Sequence, residues 1–432
     1  MASQYDLAII GGGILGLATA LKITASHPSI RLLVLEKEAQ LAGHQTGNNS
    51  GVIHSGLYYR PGSLKARTCV TGRKALIAFC NENSVPYEIC GKVVVATSEE
   101  ELPRLDELHR RGVANGLHGI EVIGRERLKE LEPHATGIKG LHVPETGIID
   151  YKKVAEAYAE KIRNAGGDIR LSQRVVGILD RPDEIVLQTS GGDYRAKNLI
   201  NCCGLQSDLV AKMMRSVSAG DQDEHRIVPF RGEYYKIAPE RQFLVRNLIY
   251  PVPDPTFPFL GVHFTRMAKG GVEAGPNAVL ALAREGYRHT NINLKDLWQT
   301  VSFKGFWAMT GKYWQTGFGE LYRSLNKSAF VSALQILVPE IRGNDLMVGG
   351  AGVRAQAVST AVRWSTILSS SRAVTPSTCS TPHRPARRHP SPSAKALPKW
   401  RQKISTSETN RSRSVPAGPT HHSSIPISIA QA

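Results

Sequence analysis

The stretch YDLAIIGGGILGLATALKI, residues 5–23, decides the fold of the N-terminal part of the chain. Its short apolar run DLAII ends in glycines, which suits a strand buried on both faces. The residues ILGLATALKITAS then show helical spacing, and RLLVLEKE, residues 31–38, has the composition of a second strand. Together these pieces make one β-α-β unit of about 30 residues. The sequence therefore predicts an α/β fold that begins with a glycine-rich turn.

Gly11, Gly13 and Gly16 in this turn match the pattern G-x-G-x-x-G. The first glycine permits a tight turn, the second lets the backbone approach a pyrophosphate, and the third lets the helix pack on the strand. Glu36 ends the second strand, where its carboxylate can accept hydrogen bonds from ribose hydroxyls and disfavours a 2′-phosphate. The pattern predicts a dinucleotide cofactor and leaves NAD and FAD open. A glycine-rich turn without a ligand is the alternative.

The next segment, AGHQTGNNSGVIHSGLYYRPGSLKA at residues 42–66, separates the two cofactors. It is dense in Gly, Asn, Ser and Thr, so it offers many backbone N–H groups and small side chains to a flat ligand. A flavin must be held along its whole length, whereas an NAD domain has no such need. We therefore predict FAD, with an ordinary polar surface loop as the alternative.

Six longer motifs lie between residues 4 and 359: GGGILGLATA, HQTGNNSGVIHSGLYYRPGSLKA, PFRGEYY, NLIYPVPDPTFPFLGVHFTRM, GPNAVLALAREGY and GVRAQAVS. Together they resemble the L-2-hydroxyglutarate oxidases and dehydrogenases, within the FAD-dependent superfamily of D-amino-acid oxidase and glycine oxidase. The resemblance implies bound FAD and oxidation of L-2-hydroxyglutarate to 2-oxoglutarate. Electrons would then pass to oxygen or to a membrane quinone.

The layout of strands and helices predicts a Rossmann-like FAD-binding domain with an inserted α+β substrate domain built on a mixed, mainly antiparallel sheet. We assign residues 1–90, 145–225 and 345–359 to the FAD-binding domain, and residues 91–144 and 226–344 to the substrate domain. Within them we expect helices at residues 99–112 and 152–165, and aromatic helices near residues 298–318.

Oxidation of a 2-hydroxy acid requires hydride transfer from C2 to flavin N5 while a base accepts the hydroxyl proton. His54 and His263 are the candidate bases, since a neutral imidazole serves near neutral pH, and the neighbouring Arg266 slightly favours His263. A dicarboxylate calls for guanidinium partners. Further candidates to hold the substrate are therefore cationic or phenolic side chains: Arg231, Arg266, Arg354, Tyr59, Tyr234 and Tyr235. A structural role is the alternative for every one of these residues.

The FAD itself is expected to contact the glycine turn, Glu36 and the polar loop. In that loop the predicted contacts are Thr46, Asn49, Ser50 and Gly51. By analogy with the superfamily, Val175 would contact the adenine, and Gly204 would lie near the same end of the cofactor. The six cysteines show no metal-ligand spacing, so we expect no metal site and reduced thiols.

The net charge of +17 is uneven, because residues 360–432 contain 11 Lys and Arg residues and one acid, Glu408. Only this tail favours nucleic acid, which we therefore do not expect as a partner. The first apolar run has no basic leader and is broken by glycines, so neither a signal peptide nor a membrane span is expected. We expect a cytoplasmic protein that can associate peripherally with the inner membrane.

The composition changes after residue 359, where nine of the 24 prolines fall in a segment rich in Ser, Thr, Arg and His. The simple interpretation is a disordered basic tail. However, residues 361–371, AVRWSTILSSS, written as degenerate codons and read from each third base, permit GSLVDDF followed by IVQ. Residues 380–390 likewise permit NAPSP, a small residue and AT.

In the family that the motifs resemble, AVS precedes an Asp-Gly turn and a hydrophobic strand, and an NAPSPAAT-like segment opens a helix against the flavin. We therefore hypothesise a frameshift close to Thr360, so that residues 360–432 are out-of-frame translation. Coding DNA in which no single-base change restores this reading would refute the hypothesis. Weak FAD retention and low activity are then expected of the chain as written. The remaining alternatives are an amine or amino-acid oxidase of the same superfamily and an inactive product without flavin.

Overall fold

A computed structural model describes residues 4–215, 225–254, 261–359 and 364–365 of the 432-residue chain. All of these residues fall within one compact unit. Its strands, in chain order, are β1 (Gln4–Ile10), β2 (Leu32–Leu35), β3 (Val52–Ile53), β4 (Tyr87–Glu88), β5 (Lys92–Ala96), β6 (Glu121–Ile123), β7 (Lys139–Val143), β8 (Gly147–Ile149), β9 (Asp168–Arg170), β10 (Val175–Asp180), β11 (Ile185–Thr189), β12 (Gly192–Asn201), β13 (His225–Ile237), β14 (Leu248–Pro251), β15 (His263–Arg266), β16 (Val272–Gly275), β17 (Val279–Leu280), β18 (Leu346–Ser359) and β19 (Trp364–Ser365).

The α-helices of the same ranges are α1 (Ile14–Ser26), α2 (Leu64–Glu82), α3 (Leu102–Ala114), α4 (Arg125–Leu131), α5 (Tyr151–Asn164), α6 (Ser207–Arg215), α7 (Leu294–Val301), α8 (Lys304–Leu325) and α9 (Lys327–Gln335). Short 3₁₀ turns lie at Glu99–Glu101, Gly204–Gln206, Pro239–Leu244 and Gly343–Asp345. No helix among the described residues is both long and apolar enough to cross a bilayer.

The first sheet has six strands in the order β10-β11-β12-β1-β2-β9. Strand β1 pairs in parallel with β12 and β2, and β2 pairs in parallel with β9. All four residues of β2 are buried, as expected for a parallel strand covered on both faces. Helices α1 and α5 cover one of these faces, and Leu17, Ala155 and Ile162 are fully buried there. Asp150 caps α5 by accepting a hydrogen bond from the Lys152 N–H at 3.0 Å.

The second sheet has ten strands in the order β19-β18-β13-β16-β15-β14-β5-β7-β6, with β17 paired to β13. Except for the parallel pair β14–β5, its strand pairs are antiparallel. The long strands β13 and β18 run side by side from His225↔Ser359 to Ile237↔Leu346. One face packs on α9 through Phe264, Phe330 and Leu334, which are almost completely buried. A three-stranded sheet, β3-β8-β4, is the smallest of the three.

The structure confirms the predicted β-α-β unit and the α/β fold with a second, mainly antiparallel sheet. The expected helices also form, as α3, α5, α7 and α8. The domain boundaries stay a prediction. Residues 345–359, assigned to the FAD-binding domain, contain β18, which pairs along nearly its whole length with β13 of the ten-stranded sheet.

The predicted disordered tail, residues 360–432, lies outside the described residues apart from Trp364 and Ser365. These two residues form β19, which pairs with β18 at Val358↔Trp364 and Ala357↔Ser365. Their backbone thus extends the sheet at its edge, and the disordered tail stays a prediction. The frameshift hypothesis concerns the same segment and stays a prediction.

Candidate active site

The glycine turn is shaped by close backbone contacts. Gly11 has φ +114°, a conformation that favours glycine, and its N–H donates to the Leu35 carbonyl at 2.8 Å. A Cβ on Gly16 would lie 1.9 Å from the Gly11 carbonyl oxygen, so α1 packs directly on the turn. Gly13 is the N-cap of α1 and supplies no side-chain cap, while the Ile14 N–H donates to Thr46 Oγ1 at 2.9 Å. The positive end of α1 therefore opens onto the turn, as a pyrophosphate requires.

Glu36 lies at the end of β2, where its buried carboxylate is already oriented. One oxygen accepts from the Gly12 N–H at 2.7 Å and the other from the Glu38 N–H at 2.9 Å. The Glu36 carbonyl accepts from the Gln173 N–H at 2.8 Å, which brings the start of β10 and Val175 beside it. Glu36 and the start of β10 thus lie beside the glycine turn, and their contacts with the ribose and the adenine stay predictions.

The polar loop after β2 is held by its own side chains. Asn49 Nδ2 donates to the Thr46 carbonyl at 2.6 Å, and Asn49 Oδ1 accepts from the Gly51 N–H at 2.7 Å. Gly204 has φ +52° and lies against the Gln45 side chain of the same loop. Ser50 is half-buried between Asn49 and Gly51.

A cavity of about 200 Å³ lies beside this loop. Its lining includes Thr46, Asn49, Gly51, Tyr234 and the glycine-rich start of β18 at residues 350–352. Small residues and backbone polar groups on both sides suit a flat, polar ligand, so the described residues fit a flavin dinucleotide. The bond from the Ile14 N–H to Thr46 joins this loop to the glycine turn, so the predicted cofactor contacts of both segments lie close together.

Next to this cavity the structure assembles a group of buried or half-buried basic and phenolic side chains, which we call the basic cage. Five members come from five strands of the ten-stranded sheet, and two follow β3 in the polar segment. The members are Lys92 on β5, Tyr250 on β14, His263 on β15, Tyr234 on β13, Arg354 on β18, and His54 and Tyr58 after β3.

Contacts between rings and cations hold the cage together. The Tyr250 and His263 rings lie 3.9 Å apart between centroids, tilted by 35°. Lys92 Nζ lies 4.5 Å from the centre of the Tyr58 ring and 4.9 Å from that of Tyr250, and 3.4 Å from Tyr58 Oη. Lys92 and Arg354 both act electrostatically on His54 and on His263. The cage is therefore one continuous site with two cations.

His263 is held in one tautomer. Its Nδ1 lies 3.0 Å from the Gly261 carbonyl oxygen, which can only accept, so Nδ1 carries the proton and Nε2 keeps a free lone pair. Burial, assisted by Arg354 and Lys92, lowers the pKa of His263 to about 3 and outweighs the opposing hydrogen bond to Gly261. Burial with the charges of Lys92, His263 and Arg354 likewise lowers the pKa of His54 to about 3. Both imidazoles are therefore neutral at pH 7.

Two of the predicted substrate-binding arginines lie elsewhere. Arg231 is buried with its guanidinium occupied by the Glu233 carboxylate at 2.8 Å, the Arg288 carbonyl at 3.2 Å and His289 Nδ1 at 2.8 Å. Arg266 donates to both Glu88 carboxylate oxygens, at 2.9 and 2.5 Å, and to Asn247. Both cations are already neutralised by carboxylates of this chain. The structure thus places Arg231 and Arg266 in ion pairs of the chain itself and not in the cage, and the substrate-binding role predicted for them stays a prediction.

Of the predicted tyrosines, Tyr234 lies in the cage, whereas Tyr235 and Tyr59 do not. Tyr235 packs edge-on against Phe330, 4.8 Å away in the core behind the sheet, because alternate residues of β13 face opposite sides. Its neighbour Tyr234 faces the cavity instead. Tyr59 lies beside the Cys69 thiol, whereas Tyr58 contacts Lys92. Of the six side-chain candidates for holding the substrate, Arg354 and Tyr234 are in the cage.

Sequence reasoning missed Lys92, Tyr58 and Tyr250. A lysine at the start of the strand KVVVA resembles an exposed end residue, but all five residues of β5 are buried. A charged residue directly before an apolar run of three valines was the available signal. Tyr250 gave no separate signal, because its neighbour in the site, His263, is 13 residues away in sequence.

A group of metal-ligating side chains lies apart from the cage: Glu38, His44 and Glu285 come within reach of one another. The Lys37 ammonium lies among them, hydrogen-bonded to Glu38, to His44 Nε2 at 2.8 Å and to Glu285 at 3.0 Å. The place of a cation is therefore taken by the lysine, and this group carries no metal assignment.

Comparison with solved structures agrees with this architecture. L-alpha-glycerophosphate oxidase from Mycoplasma pneumoniae, solved with FAD bound, matches 82% of this chain and 84% of its own, with a TM-score of 0.66 and 22% identity. Glycine oxidase from Geobacillus kaustophilus matches 82% and 83%, with a TM-score of 0.60 and 17% identity. At these identities the likeness concerns the fold.

Sequence comparison gives the family. The model of the FAD dependent oxidoreductase family matches residues 6–303. An L-2-hydroxyglutarate dehydrogenase of Indibacter alkaliphilus is 55% identical over 354 residues, which are 82% of this chain and 88% of that protein. The L-2-hydroxyglutarate dehydrogenase of Escherichia coli K12 is 44% identical over 82% of this chain and 83% of its own length. The mitochondrial enzyme of that name from Homo sapiens is 42% identical over 82% of this chain and 78% of its own length. Because this family model covers more than half of the chain and the identity to these relatives is high, the chain belongs to the FAD-dependent oxidoreductases and, among them, to the L-2-hydroxyglutarate dehydrogenase family.

Proposed function

We propose that this protein oxidises L-2-hydroxyglutarate to 2-oxoglutarate with FAD as the hydride acceptor. The observation that carries the proposal is the basic cage, where two neutral histidines and two cations meet beside the cavity of the cofactor loop. A neutral imidazole can accept the hydroxyl proton of a 2-hydroxy acid, and buried cations can hold its carboxylates. The names of the relatives support the same substrate.

The residues of the chain have distinct roles in this proposal. His263 Nε2 accepts the hydroxyl proton, because Nδ1 is committed to the Gly261 carbonyl. Arg354 holds a substrate carboxylate from β18, and Tyr234 and Tyr250 border the same space. The glycine turn and the 46–51 loop position the cofactor. When bound, FAD supplies the hydride acceptor at N5.

We expect L-2-hydroxyglutarate to bleach the flavin absorbance near 450 nm under anaerobic conditions, in protein supplied with saturating FAD. The D enantiomer and a small amino acid such as glycine should leave the flavin oxidised, because the histidine base and the two cations match one arrangement of hydroxyl and carboxylates. Bleaching by glycine without bleaching by L-2-hydroxyglutarate would replace this proposal with an amino-acid oxidase. A chain with the reading frame restored near residue 360 serves as the comparison, and the frameshift hypothesis expects it to hold more flavin.

The electron acceptor is oxygen or a membrane quinone, and we propose the quinone, with the protein bound peripherally to the membrane. Helices α7 and α8 carry a row of exposed apolar side chains, which we call the aromatic face: Leu294, Trp298, Trp307, Trp314, Phe318, Tyr322 and Leu325. Lys295, Lys304 and Lys312 are exposed along the same helices. Among the described residues 294–325 no Asp or Glu is fully exposed. Exposed aromatic and cationic side chains together suit an anionic lipid surface.

The full chain should therefore co-sediment with phosphatidylglycerol vesicles and much less with phosphatidylcholine vesicles. We expect the double variant Trp314→Ser/Phe318→Ser to lose most of this binding, because it removes exposed apolar area from the aromatic face. Val113→Ser on α3, also an exposed apolar position, is the matched control and should bind like the parent. Equal binding by parent and double variant would argue against this surface.

A further inference from the structure

Lys92 differs from the other deeply buried cations in the described ranges. Arg73 pairs with Glu145 at 2.7 Å, Arg231 with Glu233 at 2.8 Å and Arg284 with Asp208 at 2.6 Å. Lys92 is only 2% exposed, yet no described carboxylate lies within ion-pair distance of its ammonium group. Its hydrogen-bond partner is the Tyr58 hydroxyl at 3.4 Å.

The surroundings of Lys92 are aromatic and uncharged at neutral pH. The Tyr58 and Tyr250 rings face the ammonium group, and both cage histidines are neutral. Burial lowers the pKa of Lys92 to about 7, because the charged ammonium group is unfavourable in a buried site without a counter-ion. Such a cost is offset when an anion enters the site and pairs with the cation.

We propose that Lys92 binds the second carboxylate of the substrate, the one remote from the oxidised carbon, and so selects dicarboxylates. The inference rests on the proposed function and gives Lys92 a role in substrate selection at that site. L-2-hydroxyglutarate carries two negative charges, and the cage contains two cations, Lys92 on β5 and Arg354 on β18. These strands lie on opposite sides of Tyr250 and His263 in the strand order of the sheet, so a substrate held by both spans the histidine base.

The other cations predicted for the site, all among the described residues, do not offer this second contact. Arg231 and Arg266 are occupied by Glu233 and Glu88, and both cage histidines stay neutral because burial lowers their pKa values to about 3. Lys92 also acts electrostatically on both histidines while its ammonium group lies over the Tyr58 ring. The lysine is thus placed to recognise a carboxylate without taking part in proton removal.

The test compares two ligands that differ only in the remote group. The full chain is titrated by calorimetry, in saturating FAD, with 2-oxoglutarate and with 2-oxopentanoate, in which a methyl group replaces that carboxylate. Lys92→Met keeps the length of the side chain and removes its charge, and Lys236→Met, an exposed lysine on β13, is the control. We expect Lys92→Met to weaken 2-oxoglutarate binding roughly 30-fold or more and to change 2-oxopentanoate binding little.

Each outcome is decisive. Equal losses for both ligands, or no loss for either, would overturn the role of Lys92. A wild-type chain with no preference for 2-oxoglutarate would overturn the proposed function too, whereas a preference that survives in Lys92→Met overturns the lysine assignment alone. The melting temperature without ligand provides a second readout. It should rise in Lys92→Met because a buried lone charge is removed, and a fall would indicate a structural role.

The affinity for 2-oxoglutarate should also depend on pH, through the protonation of Lys92. Lys92 is charged below its pKa of about 7 and loses its proton above it, so 2-oxoglutarate should bind more weakly as pH rises through 7. The groups that face it are Tyr58, Tyr250, Cys69, His54 and His263. Burial raises the pKa values of the first three and lowers those of the histidines to about 3, and none of them titrates near 7. Lys92→Met should lose this pH dependence, and its persistence would assign it elsewhere.

Discussion

Replacing His263 by glutamine is expected to slow the reduction of the flavin by L-2-hydroxyglutarate roughly 10²–10⁴-fold, which is the usual contribution of a general base. Glutamine keeps a polar planar group in the place of the imidazole but cannot accept a proton at working pH. The Gly261 carbonyl fixes the proton on Nδ1 of His263 and leaves Nε2 as the acceptor. Stopped-flow absorbance near 450 nm, in saturating FAD, measures the rate of the chemical step directly.

His54→Gln is the matched control for this experiment. His54 belongs to the same cage and is neutral for the same reason, but no hydrogen bond to a described residue fixes its tautomer. We expect a smaller loss, with flavin content unchanged in both variants. If His54→Gln proved the slower enzyme, the assignment of the base to His263 would be wrong and His54 would take its place.

The low pKa of His263 also predicts the pH profile of flavin reduction. Because burial lowers that pKa to about 3, the imidazole is deprotonated throughout the range of about pH 5–9. The rate constant at saturating substrate should therefore show no fall on the acidic side near 6.5, the ordinary pKa of histidine. A fall there that disappears in His263→Gln would mean that the imidazole titrates in the flavin-loaded protein.

The first β-α-β unit could be predicted closely because its signals are local. Glycine spacing, an apolar strand and a helical period all lie within about 30 residues, and the structure places Gly11, Gly13, Gly16 and Glu36 as expected. The polar loop could be predicted in part for the same reason, since Asn49 bonds to Thr46 and Gly51 within the loop. The bond from the Ile14 N–H to Thr46, 32 residues apart, is not local.

The substrate site could be predicted only in part, because it is built by pairing between distant strands. Whether a basic residue meets a substrate or a carboxylate of its own chain depends on such pairing: Arg266 is neutralised by Glu88, 178 residues away. A shift of one residue also decides which tyrosine of a pair faces the site. Tyr234 faces the cavity while Tyr235 packs against Phe330, and the sequence treats both alike.

Lys92 shows the converse case, in which an unremarkable lysine becomes important through burial. Its strand pairs with β7 on one side and β14 on the other, so that the first residue of β5 is enclosed as fully as the valines after it. Apolar patterning predicts that the strand is buried but not that its end is covered. Only the three-dimensional arrangement brings Lys92 beside Tyr250 and the histidines.

Gly16→Ala is expected to abolish FAD binding and to destabilise the fold by about 3 kcal/mol, at the upper end of the usual cost of overpacking. The added Cβ would lie 1.9 Å from the Gly11 carbonyl oxygen and 3.1 Å from its carbon, and these are backbone atoms that no rotamer change can move. Gly11 cannot retreat, because its N–H is bonded to Leu35 in β2 and its φ is +114°. Helix α1 must therefore shift away from the turn that its N-terminus serves.

Gly317→Ala provides the matched control, since the same methyl group is added to a glycine of α8 with no atom within 4 Å of the new Cβ. In an exposed helix alanine is favoured over glycine by about 1 kcal/mol, so this variant should be as stable as the parent or slightly more so. Chemical denaturation gives the free energies of unfolding, and equilibrium dialysis against FAD gives the bound fraction. Normal flavin binding by Gly16→Ala would mean that the position of α1 does not affect cofactor binding. The assignment of the glycine turn as a pyrophosphate site would then be wrong.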